Sequence, residues 1–159
     1  MEFTISLPGP EVKKLDYFVG NWLTHGTIFA GPWGNGGKFS WTEKSEWMSG
    51  NFFVIGRWDF TMPEHLGGDG EEIFIMGYDA NEAIYTFDAF TSQGRHQVSR
   101  GTVSDDKWLW TSRAIDSGKK LEQKYEIEIV SPAMYRLKFE ICEDGVSWHP
   151  FMEGVAEKR

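Results

Sequence analysis

Residues 121–142, LEQKYEIEIVSPAMYRLKFEIC, contain two runs in which apolar and charged side chains alternate. In the first run Tyr125, Ile127 and Ile129 share one face, and the second run repeats the pattern from residue 135 to residue 141. A period of two places successive side chains on opposite faces of a β-strand. The stretch therefore predicts two antiparallel strands joined at Ser-Pro, each with one face in a core and one in solvent.

Short runs of this kind, separated by turn sequences, continue along the chain. The turns contain Gly, Asn, Asp or Ser, as in GPWGNGG (31–37) and SQGR (92–95), and they are typical of hairpin connections. We predict ten strands, at residues 21–31, 37–48, 51–61, 71–78, 82–91, 95–104, 107–115, 120–130, 133–142 and 146–157. An up-and-down meander of ten antiparallel strands has two exposed edges unless it closes, so the sequence favours a β-barrel. A two-sheet sandwich is the alternative, but its Greek-key connections usually need longer loops.

One short helix is predicted before the strands. Val12, Leu15 and Phe18 follow Pro8-Gly9-Pro10 at helical spacing, and Gly20 ends the pattern. We expect this helix to plug or cover one end of the barrel. With 159 residues and no linker or repeat, the whole of 1–159 is predicted to form one all-β domain.

The composition excludes several classes of function. The net charge of −8 and the scattered basic residues argue against a nucleic-acid partner. Cys142 is the single cysteine, so the fold does not depend on an intramolecular disulfide. The N-terminus lacks the pattern of a signal peptide, and the apolar runs are too short to span a bilayer. We therefore expect a cytoplasmic protein with no membrane partner.

Four stretches resemble a lipocalin-like bacterial family of unknown function in the calycin superfamily. They occur in order over nearly the whole chain: LDYFVGNW (15–22), IMGYDANEAIYTF (75–87), SQGRHQVSRGTVSDDKWLW (92–110) and CEDGVSWHPFMEGVAEKR (142–159). The resemblance implies a calycin-type barrel, and it implies no function, because the family has no settled one. It also implies that Trp22 packs structurally at the closed end of the barrel, in a cation–π contact beneath Lys158 or Arg159.

Aromatic side chains accompany charged ones on several predicted strands. Trp41 alternates onto one face with Phe39 and Glu43, while Lys44 and Glu46 fall on the other. Apolar walls with a few fixed polar groups are typical of a small-molecule pocket, and Arg recognises carboxylates through paired hydrogen bonds. The candidate ligand-binding residues are Trp41, Glu46, Arg57, Trp58, Asp59, Arg100, Trp110 and Arg113. We expect at least one of the charged members to face the lumen; the alternative is that they are outer-face residues or a satisfied network.

These observations predict the binding of a small apolar or aromatic ligand in the barrel lumen, with an anionic ligand suited to the arginines. The loop at 31–37, with Trp33, is either a flap over the cavity or a plain turn. No metal-binding motif and no nucleophile elbow occurs.

Three other functions stay open at this point. An enzyme could use Asp59 or Glu46 as a base together with Arg or His. A haem barrel could use His25, His96 or His149 as the axial ligand, although no cofactor is predicted by a motif. A structural protein could form a homodimer through outward aromatic and aliphatic side chains such as Phe53 and Ile55.

Overall fold

The computed structural model describes residues 1–4, 6–116 and 118–159, and it contains ten strands. The strands are β1 (Gly20–Ile28), β2 (Gly37–Trp47), β3 (Val54–Thr61), β4 (Gly70–Asp79), β5 (Ile84–Thr91), β6 (His96–Ser104), β7 (Lys107–Asp116), β8 (Lys119–Ser131), β9 (Met134–Cys142) and β10 (Trp148–Lys158). Each strand pairs antiparallel with its neighbours in sequence, and β1 also pairs with β10, so that the sheet closes. The predicted ten-stranded up-and-down barrel is confirmed.

Strand boundaries differ from the prediction where the backbone turns early. β1 ends at Ile28, because Gly31 and Gly34 exchange two backbone hydrogen bonds of 2.9 Å in a tight turn of their own. β3 begins at Val54 rather than at residue 51, since Gly50 and Asn51 both have positive φ. Both departures lie in turns, where side-chain alternation carries no signal.

The N-terminal helix covers one end of the barrel, as predicted. It consists of the single turn α1 (Pro10–Lys13), which tightens into a 3₁₀ turn over Lys14–Phe18. The Tyr17 hydroxyl donates to the Ser131 carbonyl at 2.9 Å and the Tyr85 hydroxyl donates to the Glu11 carbonyl at 2.8 Å. These bonds connect the helix to the β8–β9 turn and to β5, which closes that end.

A second 3₁₀ turn, Glu64–Leu66, lies in the β3–β4 connection at the opposite end. The connections β1–β2, β5–β6 and β9–β10 meet at this end as well, and the described residues place no α-helix over it. Among the described residues, no helix is long or apolar enough to cross a membrane.

Candidate functional site

A cavity of about 740 Å³ occupies the barrel lumen. Its floor is formed by Phe18, from the covering helix, and by Tyr135 on β9. Its walls are the inward faces of the strands, and residues of the β1–β2 and β3–β4 connections, such as Trp33 and Leu66, line the uncovered end. The lumen is thus closed at one end by the N-terminal helix and bordered at the other end by loops.

Aromatic rings line the wall on β2, β3, β4 and β5. The Trp41 and Trp58 rings are stacked at 5.0 Å between centroids with 19° between their planes, and the Phe74 and Phe87 rings are stacked at 5.0 Å and 18°. Gly56 on β3 makes room for this arrangement, because a Cβ there would overlap the Phe74 ring. The flat apolar surfaces that result suit a planar ligand.

Glu43 on β2 is a carboxyl group inside this aromatic wall, with only 6% of its surface exposed. Its Oε2 accepts a 2.6 Å hydrogen bond from Trp58 Nε1, and its Oε1 lies 3.2 Å from Ser45 Oγ. Burial raises the pKa of Glu43 from 4.5 to about 7, and the hydrogen bonds from Trp58 and Ser45 oppose that rise. The carboxyl therefore changes charge near neutral pH.

Glu72 on β4 is a second carboxyl group that lines the lumen. Trp58 on β3 pairs in register with Glu43 on one side and with Glu72 on the other, so the three side chains are neighbours on one wall. Burial raises the pKa of Glu72 to about 7, with a further contribution from the negative charge of Glu43. The two carboxyl groups titrate as an interacting pair.

Two polar atoms in the lumen wall have no hydrogen-bond partner among the described residues: the indole nitrogen of Trp41 and the hydroxyl of Tyr125. Burial, followed by the negative charges of Glu43 and Glu72, raises the pKa of Tyr125 well above its usual value. Because an unpaired buried polar group costs free energy, both atoms lack the partner that a hydrogen bond from a ligand or water would supply.

On β6, β7 and β8 the polar side chains are paired with each other. Gln97 Nε2 donates to Ser112 Oγ at 3.1 Å, and Ser112 Oγ donates to Gln123 Oε1 at 2.9 Å. This chain of amide and hydroxyl groups is uncharged. Among the described residues, the ionisable carboxyl groups on the strand walls of the lumen are therefore those of Glu43 on β2 and Glu72 on β4.

The mouth of the cavity is bordered by loop residues that contact one another. His65 Nε2 lies 2.6 Å from the Asn35 carbonyl, and Gln93 Nε2 donates to the Gly67 carbonyl at 2.8 Å. Trp33 donates its indole N–H to the Phe29 carbonyl at 2.7 Å and packs edge-on against Phe151. The loop predicted either as a flap or as a plain turn therefore lies at the rim, with Trp33 against the cavity.

The three predicted tryptophans, Trp41, Trp58 and Trp110, all line the cavity. The expectation that a charged candidate would face the lumen is wrong, because all five point outward from the barrel wall. Their side chains are on exposed positions of the outer face: Glu46, Arg57, Asp59, Arg100 and Arg113.

Three of these five charged side chains make polar contacts on the outer face of the barrel. Arg57 pairs with Glu71 at 3.1 Å, Arg113 lies 3.7 Å from Glu122, and Arg100 donates to the Ser99 carbonyl at 3.1 Å. The sequence hypothesis rested on charged residues that occur on strands rich in aromatic residues, but successive residues of a strand face opposite ways. The lumen carboxyl groups, Glu43 and Glu72, were not among the candidates.

The sequence contained a signal for one of the two missed residues. Glu43 is separated from Phe39 and Trp41 by an even number of residue positions, which places all three side chains on one face of β2. Glu72 had no such signal, because the run Ile73–Phe74–Ile75–Met76 is apolar on both faces and its inward face cannot be identified from alternation.

The histidines predicted as haem ligands lie elsewhere. His25, His96 and His149 are exposed, and the histidine that lines the cavity is His65, at the mouth. His96 stacks flat against Phe90 on the outer face, with 4.4 Å between ring centroids. Within the described residues, no three His, Cys, Asp or Glu side chains are grouped as a metal site.

Trp22 lies at the covered end and is 1% exposed. Its indole nitrogen donates to the Phe18 carbonyl at 3.1 Å, and the Lys158 ammonium lies 5.3 Å from its ring centroid. Of the two cations expected above Trp22, Lys158 makes the contact, whereas the Arg159 backbone N–H bonds the Asn21 carbonyl at 2.8 Å.

Residues 7–158 match the model of the family described as protein of unknown function (DUF1579). None of the curated proteins matches the chain. Among solved structures, Rv2717c from M. tuberculosis is similar, with a TM-score of 0.65 and 12% identity over 97% of this chain and 99% of that one. The S-type phycobiliprotein lyase CPES from Guillardia theta has a TM-score of 0.59 and 10% identity over 92% of this chain and 90% of that one. At these identities the likeness concerns the fold alone.

Proposed function

The chain belongs to the DUF1579 family, whose description assigns no activity, and we propose from the lumen itself that the protein binds a small planar, largely apolar molecule inside the barrel. The observation that carries the proposal is the aromatic-walled cavity of about 740 Å³. Ligand sites are typically concave and mostly apolar, with volumes of roughly 300–1,000 Å³ and a few polar groups that fix orientation.

Two features of the wall support a ligand rather than a passively packed core. Protein interiors are normally filled to the density of organic crystals, so a void of this size leaves apolar surface without contacts. The aromatic side chains of Trp41 and Trp58 also line the void. A planar molecule would restore both the contacts and the exclusion of water.

The proposal predicts saturable binding of pyrenemethanol, a neutral planar probe, measured by energy transfer from tryptophan to pyrene. The variant Ser99→Leu adds apolar volume at a 4% exposed position of the lumen wall and should weaken binding about tenfold or more. Thr102→Leu introduces the same leucine side chain on the exposed outer face of the same strand and should leave binding unchanged.

If the two variants lose the same amount of probe affinity, or if both keep the full affinity, the probe binds outside the lumen and the proposal is contradicted. Absence of saturable binding to the unmodified protein would contradict it as well. Thermal unfolding of each variant shows whether the barrel is folded, and a bound probe should raise the melting temperature of the unmodified protein.

A further inference from the structure

The lumen carboxyl groups are unusual because no basic side chain of the described residues pairs with them. Within residues 1–4, 6–116 and 118–159, every ion pair involves side chains other than Glu43 and Glu72. The basic side chains that line the cavity, His65 and Arg95, are exposed and belong to the β3–β4 and β5–β6 connections at the mouth. Two carboxyl groups held side by side in an apolar wall are costly unless something compensates their charge.

A structural role does not account for the pair. The hydrogen bond from Trp58 Nε1 needs only an acceptor, which a neutral glutamine would also supply. Among the described residues, the Glu72 side chain has neither a hydrogen bond nor an ion pair. What distinguishes the pair from neutral side chains is its capacity for negative charge.

Unpartnered polar atoms give a second, independent indication of a ligand. Trp41 is 4% exposed and its indole N–H, in the wall of the same cavity, has no acceptor among the described residues. The Tyr125 hydroxyl is likewise unpartnered, and it lies near enough to both carboxyl groups to feel their charges. The wall that carries the carboxyl pair thus also holds an indole N–H and a hydroxyl without hydrogen-bond partners among the described residues.

The aromatic wall adds attraction for positive charge. Trp58 lies in register between the two carboxyl groups, and its ring is stacked on Trp41, which is in turn stacked on Phe39 at 5.0 Å. The faces of aromatic rings attract cations, with tryptophan the strongest, and the attraction increases when water is excluded. Two carboxyl groups beside the Trp58 ring are suited to an ammonium group.

We propose that the lumen binds a planar aromatic molecule that carries a protonated amine, with the amine held between Glu43 and Glu72 and the ring system against Trp41 and Trp58. This inference rests on the proposed function and specifies its ligand class. It also reverses the sign of charge expected from the sequence, where arginines suited an anionic ligand.

The test compares three probes with the same ring system: pyrenemethylamine, pyrenemethanol and pyrenecarboxylic acid. Affinities are measured at about pH 7.5 by energy transfer from tryptophan and by calorimetry. Since charge-assisted hydrogen bonds are about twice as strong as neutral ones, we expect the amine to bind at least about tenfold more tightly than the alcohol, and the carboxylate to bind most weakly.

The variant Glu43→Gln/Glu72→Gln should bring the affinities of amine and alcohol together, while alcohol binding changes by less than about threefold. The matched control is Glu46→Gln/Glu71→Gln, which removes two carboxylates from the outer faces of the same strands, β2 and β4. It should keep the preference for the amine and so exclude a general effect of the protein's net charge of −8. The single variant Glu72→Gln serves if the double variant unfolds.

Amine affinity should also rise with pH as the carboxyl pair loses its protons. The titratable groups that face the cavity are Glu43, Glu72, Tyr125 and Tyr135, with His65, Arg95 and Glu143 at the mouth. The rise should be absent in the double carboxyl variant and retained in His65→Gln.

The outcomes separate the two proposals. If the alcohol binds in the lumen as tightly as the amine, or if the double carboxyl variant keeps the preference for the amine, the inference is overturned and the proposed function stands. If none of the three probes binds, the proposed function fails and the inference fails with it.

Discussion

The buried Glu43 carboxyl predicts an unusual pH dependence of stability. Its pKa is 4.5 without burial and about 7 in the folded protein, so between these values the folded state holds a proton that the unfolded chain has released. The free energy of unfolding then decreases by about 1.4 kcal/mol per pH unit as pH rises through this window. For a carboxyl group taken alone, the loss between pH 4.5 and pH 7 is about 3 kcal/mol.

Glu43→Gln makes this site permanently neutral and keeps an acceptor for Trp58 Nε1. We expect the variant to match the wild type within about 1 kcal/mol at pH 5 and to exceed it by about 3 kcal/mol at pH 8. In a chain of this size about 3 kcal/mol corresponds to a melting temperature roughly 6–12 °C higher. Thermal unfolding followed by tryptophan fluorescence and circular dichroism at several values between pH 5 and pH 8 measures the difference.

Glu46→Gln, on the exposed face of the same strand, is the control and should follow the wild type at every pH. The reasoning is refuted if the melting temperatures of Glu43→Gln and wild type run parallel from pH 5 to pH 8. It is refuted equally if Glu43→Gln is destabilised by the same amount at both ends of that range, since the side chain would then act by shape alone.

Three further predictions concern packing, the end cover and the outer surface. Gly56→Ala should lower the free energy of unfolding by about 1–3 kcal/mol, because the added methyl group overlaps the buried Phe74 ring; no change in a denaturant titration would contradict this. Tyr17→Phe should cost about 1 kcal/mol through loss of the bonds to the Ser131 and Met134 carbonyls, and unchanged hydrogen exchange in the helix would contradict it. Ile55 and Ile75 are register partners and 37% and 38% exposed on the outer face, so we expect a weak homodimer there that Ile75→Lys dissociates; a molecular mass that does not change on dilution of the wild type would contradict it.

The alternation of side chains between the two faces of a strand explains which residues of the site the sequence could predict. The tryptophans of the lumen were identified because aromatic residues predominate on inward strand faces, and Trp41, Trp58 and Trp110 do line the cavity. The charged candidates share strands with aromatic residues, but a shared strand does not imply a shared face, because successive side chains of a strand point in opposite directions. Strict alternation from Phe39 and Trp41 along β2 selects Glu43, and not Glu46, as the inward-facing carboxyl group.

The sequence by itself determined the order and number of the strands, because alternation and turn residues are local properties of the backbone. It also favoured an antiparallel sheet that closes over a two-sheet sandwich, since ten strands with short connections leave two exposed edges unless the sheet closes. Tertiary structure alone decided which face of β4 points inward, because both of its faces are apolar and only closure of the barrel distinguishes them. Pairing of β2 with β3 and of β3 with β4 placed Glu72 in register beside Trp58 and Glu43, and so created a carboxyl pair that side-chain alternation within any one strand does not encode.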